Sequence, residues 1–443
     1  MRGECSCAGG ESVESLLTPQ LAAVLDSRTG PVIGYRTIRL DPGSPAVFVA
    51  TARMAQRPRS HDHGEIEVNS GAGLTETDAV RAAVGECVER YCAGVIDRNR
   101  ILVGSWQELS GRESLVHPSQ LALFADWQAD TLPRPRFDAD SRVAWIPGTS
   151  LTGGRRRWVP AALVHIPYVP EDEEEIPGPA ISTGLACWSS RDQAIVAGIS
   201  ECIERDAVAI AWLNQLDVPR LRCDEEWAAS LFAERFARPN LHYDLFYIQT
   251  DLGMATVLCL LRDDNFDPPI HCVGGAARFE VRDAVRKALI ECVQGWTWAR
   301  HERLELGPRP TPASFEDVTS FGARVRLYAC ADMSRAVSFL TSSRSEVRLS
   351  QISPRSAPAG ALVQTLAAGI AAAGSDAIVI DLTSPDIADL GFSVVKVYCP
   401  GLEQLEGDHR YRLLGGTRWR TVPEKIGLAS SGQQPNPWPH PYP

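Results

Sequence analysis

The 443-residue sequence has no long unbroken apolar run, no excess of basic charge and no complete metal-binding cysteine set. Its N-terminus lacks a basic start followed by an apolar core, so it does not read as a signal peptide. The most apolar stretch, 361–382, is interrupted by Gly369, Gly374 and Asp376. It predicts a helix followed by a short buried strand around Ile378–Ile380, not a membrane span, and no membrane partner is expected. The formal net charge is −11, which repels a nucleic-acid backbone and argues against a nucleic-acid partner. Twelve cysteines are spread along the chain. Cys5 and Cys7 are close, but no second pair joins them, and a closed zinc site needs about four converging ligands. Most other cysteines sit in apolar stretches, as reduced buried thiols do, which predicts a cytoplasmic protein without a disulfide framework.

Familiar catalytic signatures are missing too. There is no Gly-x-Ser-x-Gly, no dinucleotide-binding Gly-x-Gly-x-x-Gly and no Walker sequence Gly-x-x-x-x-Gly-Lys-Ser/Thr. The nine histidines show no ligand spacing apart from His61 and His63, which read as surface residues of a polar loop, 56–64.

Hydrophobic residues make up 44% and charged residues 22%, an ordinary globular composition. The length allows two or three cores or one large interlocked domain. The Gly-, Ser- and Cys-rich start, 1–15, reads as frayed. Val32, Ile33 and Tyr35, then Val47, Phe48 and Val49, predict two strands around a Gly/Pro turn. The expected division is a strand-rich segment, 1–60, and a main domain, 61–443. Arg155, Arg156 and Arg157 follow Gly153-Gly154 between apolar stretches and predict a hairpin tip, with a partner or phosphate contact as the alternative. The acidic run 171–175 between Pro170 and Pro177 reads as an exposed loop; docking of a basic partner segment is the weaker alternative.

An internal repeat is the informative feature. Residues 79–90 read AVRAAVGECVER, 194–205 read AIVAGISECIER and 284–294 read AVRKALIECVQ, with the same spacing from first alanine to first glutamate. Each copy predicts an amphipathic helix. Val80, Val84, Cys87 and Val88 group on one face at 100° per residue, roughly, and the other copies group alike. The opposite face carries Glu86, Glu89 and Arg90, and in the second copy Glu201, Glu204 and Arg205. Ahead of them lie Ala79, Ala82 and Ala83, or Ala194, Ala197 and Gly198, small residues that point to close packing by a ligand or another helix. Surface Glu–Arg pairs would contribute roughly 0.2–0.5 kcal/mol each. That explains one helix better than three copies.

Carboxylates gathered from three helices repel one another and persist beside cations. Oxygen ligands suit a hard cation such as Mg2+, which bridges to phosphates, and the arginines would steady the carboxylates or contact phosphate. The pattern therefore points to a metal-nucleotide site. Glycine-containing loops precede the helices, at Asn69–Thr75, Ser182–Ala186 and Gly274-Gly275, suited to close backbone approach. Thr75 or Thr77 and Ser189 or Ser190 are the candidate caps of the first two helices.

These residues resemble the YcaO family from about Gly64 to Pro443. Its signature looks like Ser/Ala-x-x-x-Glu-x-x-Glu-Arg, here Ala82 to Arg90, repeated at Ala197 to Arg205, with a third helix ending at Glu291 and Gln294. Ser182 to Ala186 is similar to the family's loop before its second helix. Gly391 to Leu402, ending in Val395 to Leu402, resembles its C-terminal strand and Pro-Gly-Leu turn. The resemblance implies an α+β, YcaO-type fold with repeated strand-helix units around a central nucleotide-metal site. It implies ATP and Mg2+ as cofactors. Glu86, Glu89, Glu201 and Glu204 would bind Mg2+. Ser70, Gly71, Gly73, Glu86, Arg90, Glu201, Arg205, Glu291 and Gln294 would line the nucleotide. Two departures stand out: Ala72 replaces a lysine common in the first loop, and Ala82 replaces a common serine. Each removes a phosphate-side contact.

The chemistry implied is cyclodehydration of Cys, Ser or Thr in a ribosomally made precursor peptide, giving thiazoline or oxazoline through a phosphorylated amide oxygen. Thioamidation by the same intermediate and a non-catalytic peptide scaffold are the rivals; the proline tail argues against the first and the glutamates against the second. The expected partners are the precursor peptide and a separate leader-peptide-binding protein of E1-like or ThiF-like type. A flavin-dependent azoline dehydrogenase and a homodimer are further options.

The sequence ends Pro439-His440-Pro441-Tyr442-Pro443, which resembles the azoline-forming members and makes Pro439, Pro441 and Pro443 the catalytic-site candidates. Alternating prolines lose little conformational freedom on docking. The tail is expected to pack in or beside the site. Removing the last five residues should abolish most ring formation with little change in melting temperature. Appending residues after Pro443 should also impair it. Ring formation at wild-type rates by both variants would reduce the tail to a linker.

Overall fold

Runs of β-branched and aromatic residues become strands, and the three repeats become the long helices of a computed structural model. The structure describes residues 18–55, 68–133, 136–171, 173–353, 355, 357, 360–428 and 434–442. Cys5, Cys7, the segment 56–64 with His61 and His63, the start 1–15 and Pro443 lie outside the described residues.

Strands β1 (Val32–Ile38), β2 (Phe48–Met54) and β3 (Val68–Gly73) form an antiparallel sheet under helix α1 (Glu76–Ala93). Next come β4 (Leu102–Gly104), β5 (Val143–Ser150), β6 (Arg156–Pro160) and β7 (Leu185–Trp188), then α2 (Arg191–Asn214). A third run, β8 (Arg220–Arg222), β9 (Leu241–Ile248), β10 (Ala255–Asp263) and β11 (Ile270–Arg278), precedes α3 (Val281–Leu306). The chain continues with α4 (Phe321–Cys330), β12 (Glu346–Arg348), α5 (Leu362–Ala372), β13 (Ile378–Asp381), β14 (Ser393–Tyr398) and α6 (Arg418–Lys425), joined by shorter helical turns. The second sheet runs β4-β5-β13-β14-β7, with β6 on β5, and the third runs β11-β10-β9-β8-β12. A strand thus leads directly into each repeated helix, as the expected α+β architecture requires. Among the described residues, no helix is long and apolar enough to cross a membrane.

Several local expectations are met. The predicted strands at 32–35 and 47–49 become β1 and the start of β2. The 361–382 stretch forms α5 and β13. The arginine cluster sits on the β5–β6 hairpin, where Arg157 faces Asp376 at 3.9 Å. Thr75 caps α1 by accepting from the Asp78 N–H at 3.1 Å, whereas Ser190 stands at the α2 cap without a side-chain bond.

Two expectations are corrected. The acidic run is only partly exposed. Glu174 is held by Arg98 at 3.0 Å and by the Tyr168 hydroxyl at 2.6 Å, and only 2% of its side chain is exposed. Arg98 supplies the neutralising charge that lets the carboxylate bury. The small residues of the repeats, in turn, face a strand and not first a ligand or helix. A Cβ built on Gly71 would lie 2.3 Å from the Ala83 nitrogen and 2.6 Å from the Ala79 oxygen. One on Gly274 would lie 2.2 Å from the Cys292 nitrogen and 2.6 Å from the Ala288 oxygen. Glycine on the strand and alanine on the helix let the two backbones touch.

The repeated cysteines mark the same contact. Cys87 accepts from the Asn69 amide at 3.1 Å, Cys292 donates to the Cys272 carbonyl at 3.5 Å, and Cys202 donates to the Val397 carbonyl at 3.4 Å. Each thiol packs at the seam between its helix and the glycine-bearing strand or its neighbour.

Gly274→Ala should therefore cost about 3 kcal/mol by overpacking. Gly34→Ala, whose Cβ would meet nothing within 4 Å, should change little. Denaturant midpoints of the two variants test this; equal midpoints would refute the close-contact account.

Candidate functional site

The first two repeated helices carry their first glutamate towards their own strand and their second towards the strand of the next unit. Glu86 accepts from the Ser70 N–H on β3, and Glu201 from the Gly184 N–H at 3.0 Å, just before β7. Glu89, one turn on in α1, accepts from the Cys187 N–H on β7 at 2.9 Å. Glu204, the matching residue of α2, accepts from the Ala277 N–H on β11 at 3.3 Å. In α3 the matching position is Gln294, whose amide donates to the Ser70 hydroxyl on β3 at 2.8 Å. The first unit is tied to the second, the second to the third and the third back to the first. The ring of contacts encloses the centre that the repeat predicted.

The centre is rich in charge. Arg90 pairs with Glu86 at 3.5 Å, and Arg205 pairs with Glu204 at 2.6 Å and with Glu201 at 3.4 Å. Lys287 pairs with Glu291 at 3.0 Å. Burial raises the Glu86 carboxyl above its ordinary value, against the pull of Arg90, and Glu201 adds repulsion. Burial, then repulsion from Glu86 and Glu201, drives Glu89 well above it. Burial pushes Glu204 up to about 7; Arg205 opposes the shift and Glu291 reinforces it. The carboxylates of all three helices thus feel one another across a single centre.

Ser70 contributes its hydroxyl and N–H as described. Gly71 and Gly73 are buried, and their missing side chains face α1: a Cβ on Gly73 would stand 2.5 Å from the Asp78 Cβ. Their immediate role is the strand–helix contact.

The proline-rich segment is folded back and buried from Pro439 to Tyr442. The Trp212 indole donates to the Trp438 carbonyl at 3.0 Å, and the Tyr328 hydroxyl donates to the Pro439 carbonyl at 2.6 Å. His440 Nε2 bonds the Glu406 carbonyl at 3.1 Å. Prolines bring no N–H to satisfy, so such a segment buries at low polar cost. The Tyr442 hydroxyl donates to Glu204, and its ring lies 4.3 Å from the Arg205 guanidinium carbon. Gly275 makes room, since a Cβ there would meet the Tyr442 oxygen at 2.4 Å. Pro439 and Pro441 are thus placed in the same buried segment, next to the carboxylate centre through Tyr442.

Sequence reasoning missed this Tyr442–Glu204 contact, which no local pattern announces. It also missed a buried network behind α2. Asp206 accepts from Arg418 at 2.8 Å and from the Glu403 N–H at 2.9 Å, and Arg418 reaches Asp251 at 2.6 Å. The Asp206 carboxylate continues the Glu-Arg-Asp run of the second repeat, the only local signal for it.

The donor set fits a magnesium-nucleotide pair. Among the described residues, no three His, Cys, Asp or Glu side chains converge closely enough to hold an ion alone. Mg2+ takes one or two carboxylates and completes its shell with water and phosphate oxygens. A cation would favour the ionised form of carboxyls that burial and mutual repulsion raise above their ordinary value. Glu86, Glu89, Glu201 and Glu204 lie at this centre together with Arg90 and Arg205.

A family model described as YcaO cyclodehydratase, ATP- and Mg2+-binding, matches residues 70–403. An uncharacterized protein of Methanothermobacter thermautotrophicus is 27% identical over 361 residues, spanning 80% of this chain and 86% of its own. A protein from the tfuA 3′ region of Rhizobium leguminosarum is 26% identical over 79% of each chain. Among solved structures, a heterocyclase in complex with substrate and cofactor superposes with a TM-score of 0.77 at 23% identity, over 96% of this chain and 56% of the other. YcaO from Methanopyrus kandleri, bound with AMPPCP and Mg2+, gives 0.61 at 21% identity, over 84% and 86%. The heterocyclase TruD gives 0.62 at 25% identity, over 84% and 51%. This chain therefore spans little more than half the length of either heterocyclase, and the likenesses below 25% identity speak for the fold.

The Glu204 shift has a measurable sign. Between the ordinary carboxyl value of 4.5 and about 7, folded Glu204 keeps a proton that the unfolded chain has released. Its contribution to stability therefore falls as pH rises through that window. The melting temperature of ligand-free wild type minus that of Glu204→Gln should decline across it. A constant or rising difference would contradict the assignment.

Proposed function

The chain belongs to the YcaO family, and from that premise we propose that it is an ATP-dependent peptide cyclodehydratase. Its substrate class is a precursor peptide whose Cys, Ser or Thr residues become azoline rings. The observation that carries this reading is the convergence of Glu86, Glu89, Glu201, Glu204 and Glu291 from three matched helices on one centre that calls for a cation.

When bound, magnesium-ATP supplies the phosphoryl group that makes an amide oxygen a leaving group. The chain's own share is placement and charge. Glu86, Glu89, Glu201 and Glu204 hold the cation, directly or through water. Arg90 and Arg205 balance negative charge at the phosphate side. Glu291 and Gln294 close the nucleotide side of the centre, where Gln294 also locks α3 to Ser70. Buried Tyr442 keeps Glu204 and Arg205 in register and limits water at that edge. A separate leader-peptide-binding protein delivers the peptide in this reading, and a flavin-dependent dehydrogenase that oxidises the ring is compatible with it.

Incubation with ATP, Mg2+, precursor peptide and its leader-binding partner should remove one water mass per ring from the peptide. Glu86→Gln and Glu201→Gln should each slow this by about a hundredfold or more while the protein stays folded. Peptide mass gain with sulfide as donor would favour thioamidation. No nucleotide consumption under any condition would favour a scaffold.

A further inference from the structure

Lys396 on β14 is buried, with 2% of its surface exposed. Its amine donates to the Ile181 carbonyl. Among the described residues it forms no ion pair; Glu201 acts on it only at longer range, and burial holds the amine down to about 8. An apolar side chain would fill this space at lower cost than an ammonium without a carboxylate partner. It could not hold the Ile181 carbonyl.

That carbonyl begins a turn that matters to the site. The Leu185 N–H closes it onto the Ser182 carbonyl at 2.8 Å. Gly184 lies at φ +84°, a region that favours glycine, and its carbonyl accepts from the Val397 N–H at 2.7 Å. A Cβ there would stand 2.1 Å from the Val397 oxygen. The turn is thus pinned to β14 at both ends: by the Lys396 side chain at Ile181 and by the Val397 backbone at Gly184. Between and beyond those pins, the segment presents the Gly184 N–H to Glu201 and the Cys187 N–H to Glu89.

We propose that Lys396 is a positioning residue for the nucleotide-metal centre, clamping the Ile181–Gly184 turn so that the Gly184 N–H orients Glu201 beside Glu89. The inference rests on the reading in which those carboxylates hold magnesium-ATP. In this role Lys396 acts through the turn and not by contact with nucleotide or peptide.

The test measures binding of a non-hydrolysable ATP analogue with Mg2+ by calorimetry, alongside melting temperature. Lys396→Met keeps the apolar stem and removes the donor; it should weaken binding about tenfold, the scale of one charged hydrogen bond. Lys396→Arg should recover most of the loss. Should Lys396→Met fail to fold, Lys396→Leu, which also removes the donor, carries the same comparison. Because both residues act through one contact, Lys396→Met combined with Glu201→Gln should bind no more weakly than Glu201→Gln alone. Wild-type affinity in Lys396→Met while Glu201→Gln is weakened would overturn the positioning role and leave the site reading intact. Additive losses would also overturn it. Wild-type affinity in Glu201→Gln would sink the site reading and this inference with it.

Discussion

Bringing like charges together inside a protein is the constraint on which this architecture turns. Glu86, Glu89, Glu201, Glu204 and Glu291 share one centre; burial raises the carboxyls of Glu86, Glu89 and Glu204 above their ordinary value, and repulsion from neighbouring glutamates adds to each shift. The fold answers with backbone dipoles and arginines. Ser70, Gly184, Cys187 and Ala277 each give an N–H to a different carboxylate or its neighbour unit, and Arg90 and Arg205 lie among them. Those N–H groups are available because the strands run close to the helices. That closeness requires glycine on one side and alanine on the other. Small-residue content, the strand–helix geometry and the charge of the site are one design seen at three scales.

Much of this was legible in the sequence because a helix repeats every 3.6 residues. The spacing of alanine, glutamate and cysteine put the helices and their charged faces in place, and the triplication implied a shared centre. The family resemblance then added the nucleotide and the metal. The meaning of Ala79 and Ala83 was not legible. Small residues on a charged face fit a ligand, a helix or a strand equally well, and only the position of Gly71 decides. The partial burial of Glu174 was hidden for a related reason: its partner Arg98 is 76 residues away, beyond any local pattern.

The tail shows the same division. Its alternating prolines suggested a segment that loses little freedom on docking. What it touches depended on partners scattered through the chain: Trp212, Tyr328, Glu406 and Gly275. Tyr442, an aromatic among prolines, has no periodicity to announce that its hydroxyl meets Glu204, 238 residues earlier.

The closed ring of units also bears on when the centre can come into being. Ser70 and Gln294 are 224 residues apart, and their bond joins the last unit to the first. Loop closure over such a span comes late, after the local strand–helix pairs have formed. A nascent chain that has made α1 and α2 has four of the glutamates but lacks β11, which presents Ala277 to Glu204, and α3, which closes onto Ser70. The centre is thus a product of all three units and not of any one segment. A half-made chain carries the charges without the enclosure that would let them act together.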